Sequence, residues 1–248
     1  LPSGKSLITT RPFRSPHHTT SYVGLIGGGA HPKPGEISMS HRGVLFLDEL
    51  PEFRRDVLEA LRQPLEDGFV TVSRALGTST FPAKFTLIGA CNPCPCGYYG
   101  DLKRKCLCTF LQIRNYEKKL SGPLMDRIDL HVPCPSIPAE KLTLIQSGEK
   151  SQIIRERVQK ARDRQLNRYS GRQINSNAEL SNKEIREFCK INDQTIELLK
   201  KAATNLNITG RGFSRILKVA RTIADLADQD EIALEHVMEA IQYRFKDS

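Results

Sequence analysis

Four consecutive apolar residues, Val44 to Leu47, run into two acids, Asp48 and Glu49, between Gly43 and Pro51. A short apolar run without alternation predicts a strand buried on both faces, here ending in carboxylates. A helix is expected next, with Pro51 near its first turn and Phe53, Val57, Leu58, Leu61 and Leu65 on its apolar side. Gly68 is its stop. Residues 69 to 92 read as two β segments around a Gly/Ser/Thr turn, the second ending in another buried-strand pattern, FTLIGACN. Apolar strands separated by helix point to a parallel sheet covered on both faces. A helix, a loop and a last strand around Ile128 to Val132 follow, and the proline-rich PCPSIP closes a first domain over residues 1–150.

From residue 151 to 248 the pattern is helical throughout. A long basic helix runs to about Tyr169, and Ser181 with Glu184 makes a capping box for the next. Further helices are expected at about 193–205, 212–227 and 231–245. In the last, Val237, Ala240, Ile241 and Phe245 form an apolar stripe that reads as domain core. At the other end, residues 1 to 42 are rich in Gly, Pro and His, which predicts loops and short elements, with a helix from about Gly35.

Composition narrows the class. The chain has 248 residues, is 39% hydrophobic and 26% charged, and holds no long apolar run. A soluble, cytoplasmic globular protein without a membrane span or signal peptide is expected. Because the first residue is leucine, the chain is expected to be a fragment or processed product. Its net charge of +9 favours an anionic partner, without separating nucleic acid from nucleotide. Arg164, Arg168 and Arg172 fall on one face of the basic helix, which suits either a solvated face or a polyanion contact. Of seven cysteines, five lie within residues 91–108. Without a secretion signal, metal ligands or free thiols fit better than a disulfide framework.

The candidate chemistry begins with Asp48 and Glu49. Carboxylates at the C-terminal tip of a buried strand lie where open α/β sheets bind ligands. Asp48 suits Mg²⁺, and Glu49 suits the polarisation of an attacking water. Asn92 ends the next predicted strand, where it either orients the same water or simply turns the chain before Pro93. Arg127 either reaches a phosphate on an adjoining subunit or pairs with Asp126 or Asp129. Cys94, Cys96, Cys106 and Cys108 supply either four thiolates for a structural zinc ion or buried free thiols; Lys103, Arg104 and Lys105 surround them. His17 and His18 read as structural, since no nucleophile or third ligand is spaced to complete a site. Gly4-Lys5-Ser6 matches the tail of a phosphate loop, but the β-branched residues and prolines after it do not suit the required helix. A surface turn entering a strand is expected instead.

Five blocks, RPFRSPHHT, GVLFLDELPEF, IGACNPCPCGYYGD, SGPLMDRIDLHV and GRGFSRILKVARTIADL, make the chain resemble the magnesium-chelatase-like AAA+ ATPases of the ComM/YifB type over nearly its whole length. The resemblance implies an incomplete αβα core with a parallel sheet, lacking its Walker A loop, followed by an all-α helical lid. It also implies ATP and Mg²⁺ as cofactors and a hexameric ring that remodels DNA by branch migration. Within it, Asp48 and Glu49 are Walker B, Asn92 is sensor 1, Arg127 is an arginine finger acting in trans, and Arg211 is sensor 2 with Arg215 as runner-up. An insert falls near YVGLIGGGAHPKPGEISMSH, and a pre-sensor hairpin spans Val70 to Lys84, making Arg74 and Lys84 DNA-contact candidates. Lys5 lies between the two Walker motifs and is expected to be a bystander. A true magnesium-chelatase ATPase subunit and a zinc-stabilised nucleic-acid-binding module without enzymatic activity are the alternatives.

Overall fold

The structure, a computed structural model, describes residues 10–74, 77–101, 103–135, 148–206 and 208–244. Gly4-Lys5-Ser6, Phe245 and the end of the proline-rich segment, Ser136 to Pro138, lie outside the described residues. The chain divides into two compact units, Leu1–Ile128 and Asp129–Ser248.

The first unit runs β1 (Phe13–Arg14), α1 (Tyr22–Ile26), β2 (Gly27–Gly28), β3 (Lys33–Pro34), α2 (Glu36–Met39) and β4 (Val44–Leu47). After a 3-10 turn at Leu50–Glu52 come α3 (Arg55–Ala60), α4 (Arg62–Asp67), β5 (Phe69–Arg74), β6 (Gly77–Pro82), β7 (Thr86–Gly89), α5 (Phe110–Glu117) and α6 (Gly122–Met125). β4 lies between β1 and β7 and is parallel to both, with Phe13 opposite Val44 and Leu47 opposite Gly89. A side chain at Gly43 would meet the Pro12 carbonyl oxygen at 2.0 Å. The close approach of β1 to β4 therefore needs glycine there.

Leu45 and Leu47 point into a core with Leu25, Ile37, Val57, Leu58 and Leu61, all fully buried or nearly so. Each such side chain contributes about 1.5–3 kcal/mol. The opposite face of the sheet differs from the expected two-sided cover. Phe13 stacks on Phe46 at 6.2 Å and is 65% exposed, and Ile88 beside them is 46% exposed. The single expected helix after Pro51 is broken at Leu61, because Pro64 has no N–H to donate back to Ala60. It stops at Gly68, in the left-handed conformation at φ 74°.

The second unit contains α7 (Ser151–Arg168), α8 (Asn182–Phe188), α9 (Asp193–Asn205), α10 (Gly210–Leu226) and α11 (Leu234–Gln242). Glu184 Oε2 accepts the Ser181 amide at 2.6 Å, forming the expected capping box. Thr209 caps α10, accepting the Gly212 amide at 3.0 Å. Leu199, Ile216, Ala220, Ala224, Val237 and Ala240 fill the centre of the unit.

Two expectations are corrected here. Residues Ile128 to Val132 form no strand: among the described residues no strand pairs with them, and the His131 amide donates instead to the Tyr243 carbonyl at 2.6 Å. The three arginines expected on one face, Arg164 and Arg168 of α7 and Arg172 beyond its end, are each paired with carboxylates of the same unit rather than simply solvated. Arg164 pairs with Asp228 and Asp230, Arg168 with Asp225, and Arg172 with Glu187. Among the described residues no helix is long and apolar enough to cross a membrane.

Candidate active site

Asp48 and Glu49 leave the C-terminal end of the central strand and are both exposed. Glu49 takes the left-handed conformation, φ 50° and ψ 44°, and its amide donates to Asp48 Oδ1 at 2.9 Å. Beyond the ladder, the Ala90 amide donates to the Leu47 carbonyl at 2.9 Å and the Leu50 amide to the Ala90 carbonyl at 2.8 Å. These two bonds carry the β4–β7 pairing past the carboxylates. Asn92, exposed two residues later, therefore leaves the sheet at the same edge.

The same edge holds a residue that sequence reasoning set aside. His18 is half-buried, and its Nδ1 lies 3.1 Å from Glu49 Oε2. Its ring packs edge-on against Phe53 at 6.4 Å and tilts against His17 at 4.0 Å. The chain beyond β1 brings it there: the ladder pairs Phe13 with Val44 and Arg14 with Leu45, and His18 follows four residues on, in a turn. With only two residues in β1, that pairing has no visible pattern in the sequence.

Of the expected phosphate-binding arginines, Arg127 is 9% exposed, donates to the Pro123 carbonyl at 2.7 Å and pairs with Glu66 of α4. Arg211 is exposed in the first turn of α10. Arg215, one turn on, pairs with Asp129. The hairpin of β5 and β6 separates the two DNA-contact candidates. Arg74 is exposed beside the turn, opposite Gly77, whereas Lys84 stands beyond the foot of the hairpin. There the Lys84 amide donates to His41 Nδ1 at 3.1 Å.

The cysteines converge. Cys94 and Cys96 sulfurs lie 3.4 Å apart, Cys96 and Cys106 3.6 Å, and Cys94 and Cys106 3.8 Å. Cys108 joins them, with all four sulfurs within 4.8 Å of one another. Backbone amides of Tyr98 and Leu107 hold the Cys96 thiol down at about 6. Burial, followed by the Cys96 sulfur, pushes Cys108 up to about 12.

Sequence comparison matches residues 2–142 to the family described as magnesium chelatase, subunit ChlI, and residues 148–244 to its C-terminal counterpart. The chain belongs to the magnesium-chelatase-like family. That family lies within the AAA+ ATPases, so the parallel sheet with its helices is part of an AAA+ αβα core, and the helical region after it is the lid. Among family relatives, competence protein ComM of Haemophilus influenzae is 48% identical over 94% of this chain and 45% of its own length. The uncharacterized protein YifB of Escherichia coli is 46% identical over the same shares. A magnesium-chelatase subunit ChlI of Euglena gracilis is 21% identical over 84% of this chain and 53% of that protein. The chain thus spans about half the length of the curated relatives it matches.

Proposed function

We propose that the full-length protein is an ATP-hydrolysing AAA+ motor that remodels DNA, working as a hexameric ring in branch migration. One observation carries this reading: Asp48 and Glu49 stand exposed at the C-terminal edge of a central parallel strand, with Asn92 leaving the adjacent strand at that edge. Open α/β sheets bind ligands there. Asp48 gives one oxygen to the Glu49 amide and is otherwise exposed, which suits a hard divalent cation. When bound, MgATP supplies the phosphoryl group and the cation that disperses its negative charge.

The roles follow from position and chemistry. Glu49 accepts the proton of the attacking water, His18 holds its carboxylate, and Asn92 orients the water. Arg127 stabilises transition-state charge on the neighbouring subunit's nucleotide, which requires it to exchange Glu66 for that partner. Arg211, with Arg215 as the runner-up, supplies a cation to the γ-phosphate from the lid. The cysteine cluster has no step in this hydrolysis. Support for DNA as the substrate comes from the net charge of +9, the exposed Arg74 at the hairpin turn and similarity to a competence protein.

A general base contributes about 10²–10⁴-fold to a rate. Glu49→Gln in the full-length protein is therefore expected to lower kcat for ATP hydrolysis by that factor while nucleotide still binds. Hydrolysis at the unaltered rate would remove the reading. The family match itself favours a second one, the motor subunit of a magnesium chelatase. Stimulation of ATP hydrolysis by branched DNA supports the first; stimulation by a porphyrin-metallating partner alone supports the second.

A further inference from the structure

We infer that Cys94, Cys96, Cys106 and Cys108 bind a single Zn²⁺ in a closed four-sulfur site, and that the ion fixes the chain segment following Asn92. Four sulfurs held about 2.3 Å from one tetrahedral zinc stand about 3.8 Å from each other. The separations among Cys94, Cys96 and Cys106, 3.4, 3.6 and 3.8 Å, lie at or just below that spacing. A disulfide would need about 2.05 Å, and all four cysteines are free.

The bland explanation, thiols buried as small apolar groups, fits Cys189, which belongs to the core of the second unit. It does not fit these four. Cys94 is fully buried yet lies outside both hydrophobic clusters, and the other three are only partly covered. What gathers them is polar chemistry. The Tyr99 amide donates to Cys94 Sγ at 3.3 Å, and the Gly97 amide to the Cys94 carbonyl at 3.0 Å. Gly97 and Gly100 take φ of 81° and 79°, turning the chain so that its second cysteine pair can return to the first. Amide-to-sulfur bonds of this kind orient thiolate ligands around a metal. Four protein sulfurs leave no position for water, so the ion is structural. A soft tetrahedral sulfur set takes zinc or iron, and a closed site of four thiolates without an open position matches structural, redox-inert Zn²⁺.

The surroundings show what the ion holds. Asn92 lies two residues before Cys94, and Cys108 immediately precedes Thr109, the N-cap of α5. Thr109 and Gln112 form a capping box that fixes the start of that helix. At its end, the buried Tyr116 turns its hydroxyl toward the Asn92 backbone, and Lys119 beyond it pairs with Glu52 at 3.1 Å. The path from Asn92 through the cysteines and α5 thus closes on Asn92 again, with the metal as the link that spans residues 94–108. This positioning role rests on the reading of Asn92 given above; the metal site does not.

The test is elemental analysis of full-length protein purified without chelator, with Co²⁺ substitution read by its thiolate-to-metal absorption. One zinc per chain, lost in a Cys96→Ser/Cys106→Ser variant, and a tetrahedral four-thiolate cobalt spectrum are expected. Zinc below stoichiometry together with no such spectrum overturns the site, and stoichiometric iron overturns the choice of metal. Hydrogen exchange of the wild type before and after chelation tests the positioning role. Faster exchange at Asn92 and through α5, with α10 unchanged, is expected; unchanged exchange at Asn92 overturns it. None of these readouts needs ATP hydrolysis, so they stand or fall separately from the assignment of Glu49.

Discussion

His18, four residues past the end of β1, meets Glu49, two residues past the end of β4, and the contact gives the carboxylate a fixed partner on the strand side. A hydrogen bond to a charged group is worth about 1.5–3 kcal/mol, or roughly 10- to 100-fold in a rate that depends on its geometry. His18→Ala is expected to lower kcat in the full-length protein by that factor with little change in KM, because His18 positions Glu49 rather than nucleotide. His18→Asn, which keeps a donor near the Nδ1 position, should recover part of the loss. Equal losses in both variants, or a loss confined to KM, would rule out a positioning role. The place of Asp48 and Glu49 at a strand end was legible in the sequence because an apolar run ending in acids is a local pattern. His18 was not, since nothing nearby in the chain marks its partner.

At the scale of elements, the helices of the second unit were the most legible part of the fold. Their signals are local: Ser181 with Glu184, Asn192 before Asp193–Asn205 and Thr209 before Gly210 each cap a helix from within three residues. The supposed strand at Ile128 to Val132 misled because apolar alternation cannot show whether a neighbouring strand exists. The face of α7 misled for a related reason, its acidic partners lying far along the chain. Asp225 is fully buried and accepts from Arg168 at 2.5 and 2.9 Å and from Asn177 at 2.8 Å, with Arg221 at 3.2 Å. The Tyr169 hydroxyl completes the network, donating to Asn177 at 2.6 Å. Removing one member of a buried ion pair strands the other, at about 3–5 kcal/mol. Asp225→Ala is expected to destabilise this unit by that amount in denaturant unfolding; a change below about 1 kcal/mol would mean that the network behaves as a surface pair.

Across the whole molecule, the internal pairing of Arg164, Arg168 and Arg172 moves the search for an anion-binding face away from the most basic stretch of the sequence. The hairpin is the better place to look, and Arg74 is its exposed cation beside the turn. If Arg74 meets a phosphate, Arg74→Ala in the full-length protein should reduce the slope of log affinity for duplex DNA against log salt by about 0.9. An unchanged slope would take Arg74 out of the interface. Stability and chemistry also pull against each other at one position. Glu49 holds a left-handed backbone that glycine or asparagine would adopt more easily, a difference of about 1 kcal/mol. Selection for heat resistance alone would therefore drift toward Gly or Asn at position 49. If Glu49 is the general base proposed above, a homologue that has lost ATP hydrolysis but kept its fold would be free to carry that change, and the residue at this position would then separate hydrolysing members of the family from those that no longer hydrolyse ATP.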